Sequence, residues 1–265
     1  MSLLEIKNIN MNYHKKDGVT EALKDINFTV DNGEFISIIG PSGCGKSTLL
    51  NIISGLLQPS SGEVKYNDPK VKNNLDKMGY MFQKDFLFPW LTVRENIMLG
   101  LRIKKIYTKE NIEFACELLK DYGLEKFEKH KPTELSGGMR QRVALIRTLA
   151  LKPEILLLDE PFSALDYQSR LMVTDDVAEI IKKEGKTAIM VTHDLGEAIT
   201  MSKRVIVLST RPATIKDDVT ISFERDYLTP FNKRKENEYN EYFKKLWGEI
   251  ENANEWGTWI ISKKY

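Results

Sequence analysis

A glycine-rich run that ends in lysine and serine is the part of the sequence best suited to chemistry. Glycines let a backbone curl so that several N–H groups face one anion, and a following helix N-terminus adds a positive dipole end. Lys46 is expected to reach the β and γ phosphates of a nucleotide, Ser47 to ligate Mg²⁺ and Thr48 to reach the α phosphate. Kinases, GTPases and motors share the motif, so it does not name a function by itself. The run fits G-x-x-x-x-G-K-[ST] in full: Gly40-Pro41-Ser42-Gly43-Cys44-Gly45-Lys46-Ser47.

Two carboxylates follow an apolar run further along the chain. Ile155-Leu156-Leu157-Leu158 predicts a buried strand that brings Asp159 and Glu160 to the carboxyl edge of a sheet, where open α/β sheets bind ligands. Asp159 suits the Mg²⁺ shell, and Glu160 suits positioning and deprotonation of an attacking water. A solvated acidic loop is the alternative, and the phosphate loop elsewhere in the chain argues against it.

A histidine follows the next predicted strand. His193 comes shortly after Thr187–Val191 and is therefore expected at the carboxyl end of a neighbouring strand. A lone histidine is more often structural than catalytic. In the company of the two motifs above, we interpret His193 as a contact to the γ-phosphate and the attacking water.

A second glycine motif, Leu135-Ser136-Gly137-Gly138, precedes a predicted helix. Taken alone it predicts a capped helix start, and its N–H groups and serine hydroxyl can also hold a phosphate. One nucleotide does not need both glycine motifs from one chain. The economical arrangement is two chains that face each other, each closing the other's site.

The remaining pattern predicts the elements that carry these motifs. Strands dominate the first third, and Phe35–Ile39 directly precedes the phosphate loop. Residues from about 85 to 151 are predicted to be helical, and strands and helices alternate after Ile155, as in a mostly parallel sheet covered by helices. The tail after about Lys216 has apolar residues at helical spacing, which favours packing on its own domain over a partner surface. They are Tyr239, Phe243, Leu246 and Ile250.

The composition excludes several classes of protein. The 265 residues are 42% hydrophobic and 29% charged, with a net charge of +1, which is an ordinary water-soluble composition without the bulk charge of a nucleic-acid binder. Two cysteines cannot form a disulfide scaffold and indicate a reducing cytosol. No stretch approaches the roughly 20 apolar residues that cross a bilayer, and the N-terminal apolar run breaks at Glu5 and Lys7, unlike a signal peptide.

Over about residues 3 to 215, these motifs resemble the ATP-binding subunits of ABC transporters. The resemblance implies an α/β fold, a P-loop NTPase core with a mixed central sheet, an N-terminal antiparallel β subdomain and an inserted helical subdomain at about 85–151. It implies an ABC ATPase domain over 1–215 and a C-terminal strand and helix extension over 216–265. The matching motifs are the Walker A loop Gly40–Thr48, the Q-loop glutamine Gln83, the signature Leu135–Gln141, the Walker B strand Ile155–Glu160, the D-loop Ser163–Asp166 and the switch histidine His193.

The resemblance also implies a site for ATP and Mg²⁺. The expected catalytic residues are Glu160, His193, Lys46 and Gln83, and the expected metal ligands are Ser47, Gln83 and Asp159. Tyr13 lies where the family has an aromatic ring that stacks on adenine, with a plain strand-end tyrosine as the alternative. The expected nucleotide contacts are Tyr13, Gly40, Pro41, Ser42, Gly43, Cys44, Gly45, Lys46, Ser47, Thr48, Gln83, Ser136, Gly137, Gly138 and Asp166.

Two such subunits are expected to form a head-to-tail ATP sandwich, most simply as a homodimer. Ser136, Gly137 and Gly138 of one chain would face the phosphate loop of the other. Closure would give the power stroke and hydrolysis would reset it, with Gln83 passing the state of the γ-phosphate to the helical subdomain. No nucleic-acid partner is expected.

The segment after Gln83 is rich in apolar residues for a predicted surface loop: Phe86, Leu87, Phe88 and Trp90. A packed loop is one interpretation. The resemblance favours another, a groove near Phe86–Trp90 that receives a short cytoplasmic helix of an integral membrane permease. The chain would then be a peripheral protein at the cytoplasmic face of the cell membrane.

A narrower resemblance is to the subunits that power nitrate, sulfonate, taurine and related importers. It rests on Leu87–Val93 and Val207–Pro212 and implies a substrate-binding protein in the same system. An ABC export or lipid-extraction system is the alternative. A soluble ABC ATPase fits less well, since DNA-repair types carry a long coiled coil between Walker A and signature and ribosome-bound types carry two cassettes.

Overall fold

The computed structural model describes residues 2–15, 18–67, 77–225 and 227–251. The final residues of the predicted extension, 252–265, lie outside the described residues. The elements in chain order are β1 (Ser2–Lys15), β2 (Gly18–Asp31), β3 (Phe35–Ile39), α1 (Lys46–Ile53), β4 (Ser61–Tyr66), β5 (Met78–Met81), α2 (Val93–Ile103), α3 (Lys109–Asp121), α4 (Gly137–Leu149), β6 (Ile155–Asp159), α5 (Tyr167–Lys183), β7 (Thr187–Val191), α6 (Leu195–Met201), β8 (Arg204–Leu208), β9 (Ile215–Thr220), α7 (Pro230–Lys233) and α8 (Asn237–Glu251).

The larger sheet brings the predicted functional segments to one edge. Its six strands have the order β5-β6-β7-β3-β8-β9, and all neighbours are parallel except β9, which is antiparallel to β8. Every residue of β3 and β7 is buried, which explains why these strands are continuous apolar runs rather than alternating ones. The sheet is therefore mixed, as the resemblance implies, and the carboxyl ends of β3, β6 and β7 lie side by side.

A second, antiparallel sheet of three strands has the order β2-β1-β4. Its apolar side chains alternate with polar ones, and Leu4, Ile9 and Ile26 are completely buried. They belong to the same hydrophobic cluster as Leu49 and Leu50 of α1. This packing holds the β1–β2 hairpin beside the helix that follows the phosphate loop.

Helices α2, α3 and α4 fill the chain between β5 and β6, which are paired neighbours in the large sheet. Each of the three begins with a side-chain cap, from Thr92, Thr108 and Ser136. Thr92 and Glu95 form a full capping box. The helical character predicted for this part of the chain is confirmed. The apolar faces of these helices are buried in one cluster with side chains of β6 and β7.

The described part of the tail packs on the same domain. Leu246 of α8 is completely buried, and Tyr239, Phe243 and Ile250 pack around it against a cluster that includes Leu195 of α6. The prediction that this face belongs to the core is confirmed. Among the described residues, no helix is both long enough and apolar enough to cross a bilayer.

Candidate nucleotide site

The phosphate loop connects the buried strand β3 to α1, as the sequence predicts. Gly40 and Gly45 have φ angles of 156° and 131°. A β-carbon at Gly40 would lie 2.9 Å from the carbonyl oxygen of Leu208, and one at Gly45 would lie 2.9 Å from Leu23 Cδ2. The backbone angle requires glycine at both positions, and at Gly40 the close main-chain oxygen requires it as well. These glycines let the loop curl into an anion cradle.

The amine of Lys46 is held inside this loop. Lys46 is 6% exposed, and its Nζ donates hydrogen bonds of 2.9 Å to the carbonyl oxygens of Gly40 and Pro41. A buried cation beside curled N–H groups is an anion site. This anion site opens into a cavity of about 490 Å³, which fits a polyphosphate. The cavity is lined by Ser42, Gly43, Gly45, Lys46, Ser47, Thr48, Glu160, His193 and Arg211.

A hydroxyl and a carboxylate meet where the sequence predicts the metal site. Ser47 Oγ donates a 3.0 Å hydrogen bond to Asp159 Oδ1, and the hydroxyl of Tyr80 lies 3.3 Å from Asp159 Oδ2. Burial raises the pKa of the Asp159 carboxyl, and these two hydroxyls oppose the rise. The described residues contain no group of three His, Cys, Asp or Glu side chains that could enclose a metal. One carboxylate and one hydroxyl suit Mg²⁺ instead, which takes its other oxygens from phosphates and water.

The Glu160 carboxylate is the meeting point of three loops. Its Oε2 accepts a hydrogen bond of 3.1 Å from Gln83 Nε2 and lies 3.2 Å from His193 Nδ1. Gln83 Nε2 also donates to Ser163 Oγ at 3.2 Å, which brings the D-loop into the same contact. The structure thus brings three of the proposed catalytic residues, Gln83, Glu160 and His193, into contact, and the fourth, Lys46, lines the same cavity as Glu160 and His193.

The backbone at Glu160 is strained. Its φ is 46°, in the left-handed region that non-glycine residues rarely adopt. Its N–H donates a 2.8 Å hydrogen bond to the carbonyl oxygen of Val191. The residue that follows β6 is thereby tied to the last residue of β7, and the Glu160 side chain is held beside His193.

The signature and the D-loop aspartate do not line this cavity in the described chain. Ser136 caps α4 by accepting a 3.3 Å hydrogen bond from the N–H of Met139, and Asp166 caps α5 by accepting a 3.0 Å bond from Ser169. The Ser169 bonds lower the pKa of Asp166. A β-carbon at Gly138 would lie 2.9 Å from Val173 Cγ2, so this glycine also allows close packing of α4 on α5. Contact of the signature residues and of Asp166 with a nucleotide stays a prediction.

Tyr13 lies at the rim of the site. The residue is 37% exposed, and its hydroxyl lies 3.2 Å from Thr48 Oγ1. The β1–β2 hairpin therefore brings an open aromatic face to the start of α1. Stacking of this ring on adenine stays a prediction.

Two residues of the site were missed by the sequence reasoning. Tyr80, in β5, reaches Asp159 because β5 pairs with β6, and Arg211 lines the phosphate cavity because it follows β8, the neighbour of β3. The available signal was weak in both cases. The signal was only a tyrosine or an arginine near the end of a strand, and the sequence does not say where that strand lies in the sheet.

The loop after Gln83 divides into a buried residue and an exposed patch. Leu87 is buried in the core with the inserted helices, as the packed-loop interpretation predicts for that residue. Phe86, Phe88 and Trp90 are 58%, 36% and 68% exposed, and the rings of Phe88 and Trp90 lie 5.2 Å apart. We call these three residues the aromatic patch.

Alkylation of Cys44 is expected to block nucleotide binding. Cys44 belongs to the phosphate loop and its thiol is buried in the core beneath, so an added group has to push the loop outward. Burial raises the pKa of Cys44, and only the thiolate attacks. Labelling with iodoacetamide should therefore be slow at pH 7, accelerate as pH rises to 9, and be suppressed by ATP. Cys44→Ala serves as the control, and unchanged ATP affinity after complete Cys44 labelling, measured by mass spectrometry, would contradict the expectation.

Comparison with known proteins identifies the family. The ABC transporter family model matches residues 23–163. The nitrate import ATP-binding protein NrtD of Synechocystis sp. is 41% identical over 243 residues, which cover 90% of this chain and 91% of that protein. The aliphatic sulfonates import ATP-binding protein SsuB of Bacillus cereus is 42% identical over 212 residues, covering 80% and 83%. A solved dimer of the ATP-binding cassette MJ0796, in a post-hydrolysis state with ADP and Pi, matches with a TM-score of 0.69 at 35% identity, covering 83% and 99%.

The phosphate cradle, the paired carboxylates and the sheet order define an ATPase of the P-loop class, and the chain belongs to the ABC transporter family. Within that family it is an ATP-binding and ATP-hydrolysing subunit. The resemblance drawn from the motifs is confirmed.

Proposed function

We propose that this subunit couples ATP-driven closure of a cassette dimer to import of a small solute through a membrane permease. The ATP-driven part of the proposal rests on the convergence of the phosphate loop, the Ser47–Asp159 pair and the Glu160–His193 pair at one sheet edge. The names of NrtD and SsuB support import, and they favour nitrate- or sulfonate-like solutes as cargo. The motif resemblance adds taurine-like solutes to this class.

The proposed domain division follows the chain. Residues 1–215 form the ABC ATPase domain, and 216–265 form a C-terminal extension. The helical subdomain at about 85–151 is an insertion, since α2, α3 and α4 leave and return between the paired strands β5 and β6.

The phosphate loop, from Gly40 to Thr48, holds the triphosphate in this proposal. Lys46 exchanges its two carbonyl contacts for phosphate oxygens, and Arg211 adds positive charge at the rim. Mg²⁺, held by Ser47, Asp159 and Gln83, would neutralise phosphate charge. Gln83 would release Glu160 to join that shell, which makes it the sensor of the bound state.

Glu160 positions the attacking water and takes its proton. His193, 3.2 Å from the same carboxylate, contacts the γ-phosphate and the water. Tyr13 stacks on adenine. Because phosphoryl transfer needs little covalent help, these residues act mainly by orientation and charge.

A complete site needs two chains. The signature residues Ser136, Gly137 and Gly138 lie outside the cavity formed by the described residues of their own chain, although their helix start suits a phosphate. In a head-to-tail homodimer they close the partner's cavity, together with Asp166 of the D-loop. The site then forms only when the dimer closes, which is how ATP binding performs mechanical work.

The aromatic patch is the proposed docking surface for the permease. Phe86, Phe88 and Trp90 expose apolar rings next to Gln83, so permease contact and nucleotide state are coupled through one short loop. Docking there makes the chain a peripheral protein of the cytoplasmic membrane face. A substrate-binding protein completes the system.

The test is a pull-down of the tagged chain from detergent-solubilised membranes, with partners identified by mass spectrometry. We expect a permease and a substrate-binding protein, and Trp90→Ala should reduce their recovery. Trp247→Ala is the matched control, because Trp247 is also exposed but lies on α8. Recovery of only soluble or nucleic-acid partners would contradict the transport proposal, and an exporter-type permease would contradict import.

A further inference from the structure

Arg170 connects two loops that border the site, although it does not touch the phosphate cavity itself. It lies in the first turns of α5, and its side chain is 22% exposed. One terminal nitrogen donates to the carbonyl oxygen of Leu165, in the D-loop, at 3.1 Å. The other donates to Asp194 Oδ2 at 3.3 Å. The fork of a single guanidinium therefore spans the D-loop and the segment that follows His193.

The segment around His193 is bonded internally on both sides of the histidine. Thr192 Oγ1 donates to Glu197 Oε2 at 2.6 Å and accepts from the N–H of Asp194 at 3.0 Å. Asp194 Oδ1 accepts from the N–H of Glu197 at 3.0 Å and so caps α6. The imidazole of His193 has no part in these bonds and faces Glu160. Its position is set by its two chain neighbours.

We infer that Arg170 is a positioning residue that holds His193 against Glu160 and ties that contact to the D-loop. Arg170 anchors Asp194 directly, and Asp194 and Thr192 carry the histidine between them. A shift of the D-loop on dimer closure would therefore reach His193 through Arg170, in addition to the route that runs from Ser163 through Gln83 and Glu160. The inference rests on the proposed function, since it assigns His193 a catalytic part.

The charges around Arg170 support its positioning role. Glu197 is almost completely buried, and that burial raises its pKa to about 7. The Thr192 hydrogen bond favours the ionised form most, Asp194 opposes it, and Arg170 and His193 favour it more weakly. Arg170 Nε is a buried donor with no hydrogen-bond partner in the part of the chain that the structure describes, and it lies 4.0 Å from Glu197 Oε1. The Arg170 guanidinium therefore lies against the carboxyl groups of Asp194 and Glu197 and also bonds the Leu165 carbonyl oxygen.

Arg204 provides a matched control. It is 20% exposed and also bonds two carboxylates and one main-chain carbonyl, from Asp218, Glu34 and Thr29. It lies on β8, at the opposite end of the sheet from the phosphate loop. Arg204→Met removes the same kinds of bond without touching the D-loop or His193.

The experiment measures ATP hydrolysis and ATP affinity of the purified full chain with Arg170→Met, Arg170→Lys or Arg204→Met. We expect Arg170→Met to lower kcat by about 10- to 100-fold with an unchanged dissociation constant for ATP, because a misplaced group slows the chemical step and leaves the phosphate loop intact. The kcat of Arg170→Lys should lie between those of the wild-type chain and Arg170→Met, since one ammonium cannot bridge both loops. Arg204→Met should lower the melting temperature and leave kcat of the folded chain unchanged.

A second comparison separates positioning from general loss of structure. In single-turnover assays on a His193→Ala background, Arg170→Met should cause little further loss, because its effect passes through the histidine. The inference would be overturned if Arg170→Met lowered the rate of the His193→Ala chain by the same factor as it lowers the rate of the wild-type chain. It would also be overturned if the wild-type chain were active and Arg170→Met had the same kcat. A wild-type chain without turnover would overturn the proposed function and this inference with it.

Discussion

Glu160→Gln is expected to slow steady-state ATP turnover by about 100- to 10,000-fold while ATP binding is retained. The amide has the shape of the carboxylate but cannot accept the proton of the attacking water. The phosphate cradle of Lys46 and Ser47 is untouched. Because hydrolysis no longer resets the dimer, an ATP-stabilised dimer should accumulate. Phosphate release and size-exclusion chromatography with ATP measure the two effects.

Glu34→Gln is the matched control for that variant. Glu34 is another partly buried carboxylate, and it bonds Arg204 away from the cavity. It should turn over ATP at the wild-type rate. Wild-type turnover in Glu160→Gln would show that Glu160 is not the base.

Mixing two inactive variants is expected to restore ATP hydrolysis. Lys46→Met removes the buried cation of the phosphate loop, and Ser136→Asp puts a carboxylate at the signature while keeping a good helix cap. Each variant alone should lose about 100-fold or more of its rate, since one charge contact to the transferring phosphate is lost or opposed. With random pairing of the two chains, about half of the dimers are mixed and have one complete site, so about a quarter of the wild-type rate should return.

Ser136→Asn is the control for the signature variant, because asparagine also caps helices and adds no charge. It should retain much more activity than Ser136→Asp at equal thermal stability. A Ser136→Asp chain that hydrolyses ATP at the wild-type rate would show that the signature is not part of the site.

The central part of the site was predictable because strand ends carry it. Buried strands are recognised by their continuous apolar residues, and parallel neighbours end at the same edge of the sheet. Lys46, Asp159, Glu160 and His193 each follow such a strand, so the order of motifs implied their meeting. The structure adds the contact between Glu160 and His193 and the strained backbone at Glu160.

Other parts depend on approaches between distant elements and were not predictable. Arg170 acts across α5 and α6, and Arg211 reaches the cavity only because β8 lies beside β3. Strand β9 is antiparallel because the chain reverses direction between β8 and β9, and no residue pattern predicted this reversal. Leu87 and Trp90 have similar character in the sequence, yet one is buried and the other exposed, since that depends on which side of the loop meets the inserted helices.

The most direct test of the two-chain site is the ATP hydrolysis rate per subunit as a function of protein concentration, with the dimer fraction followed by light scattering on the same samples. We expect the rate per subunit to rise with concentration and to saturate together with the dimer fraction, because the phosphate loop of one chain needs the signature of another. A constant rate per subunit at concentrations where the protein is monomeric would contradict it.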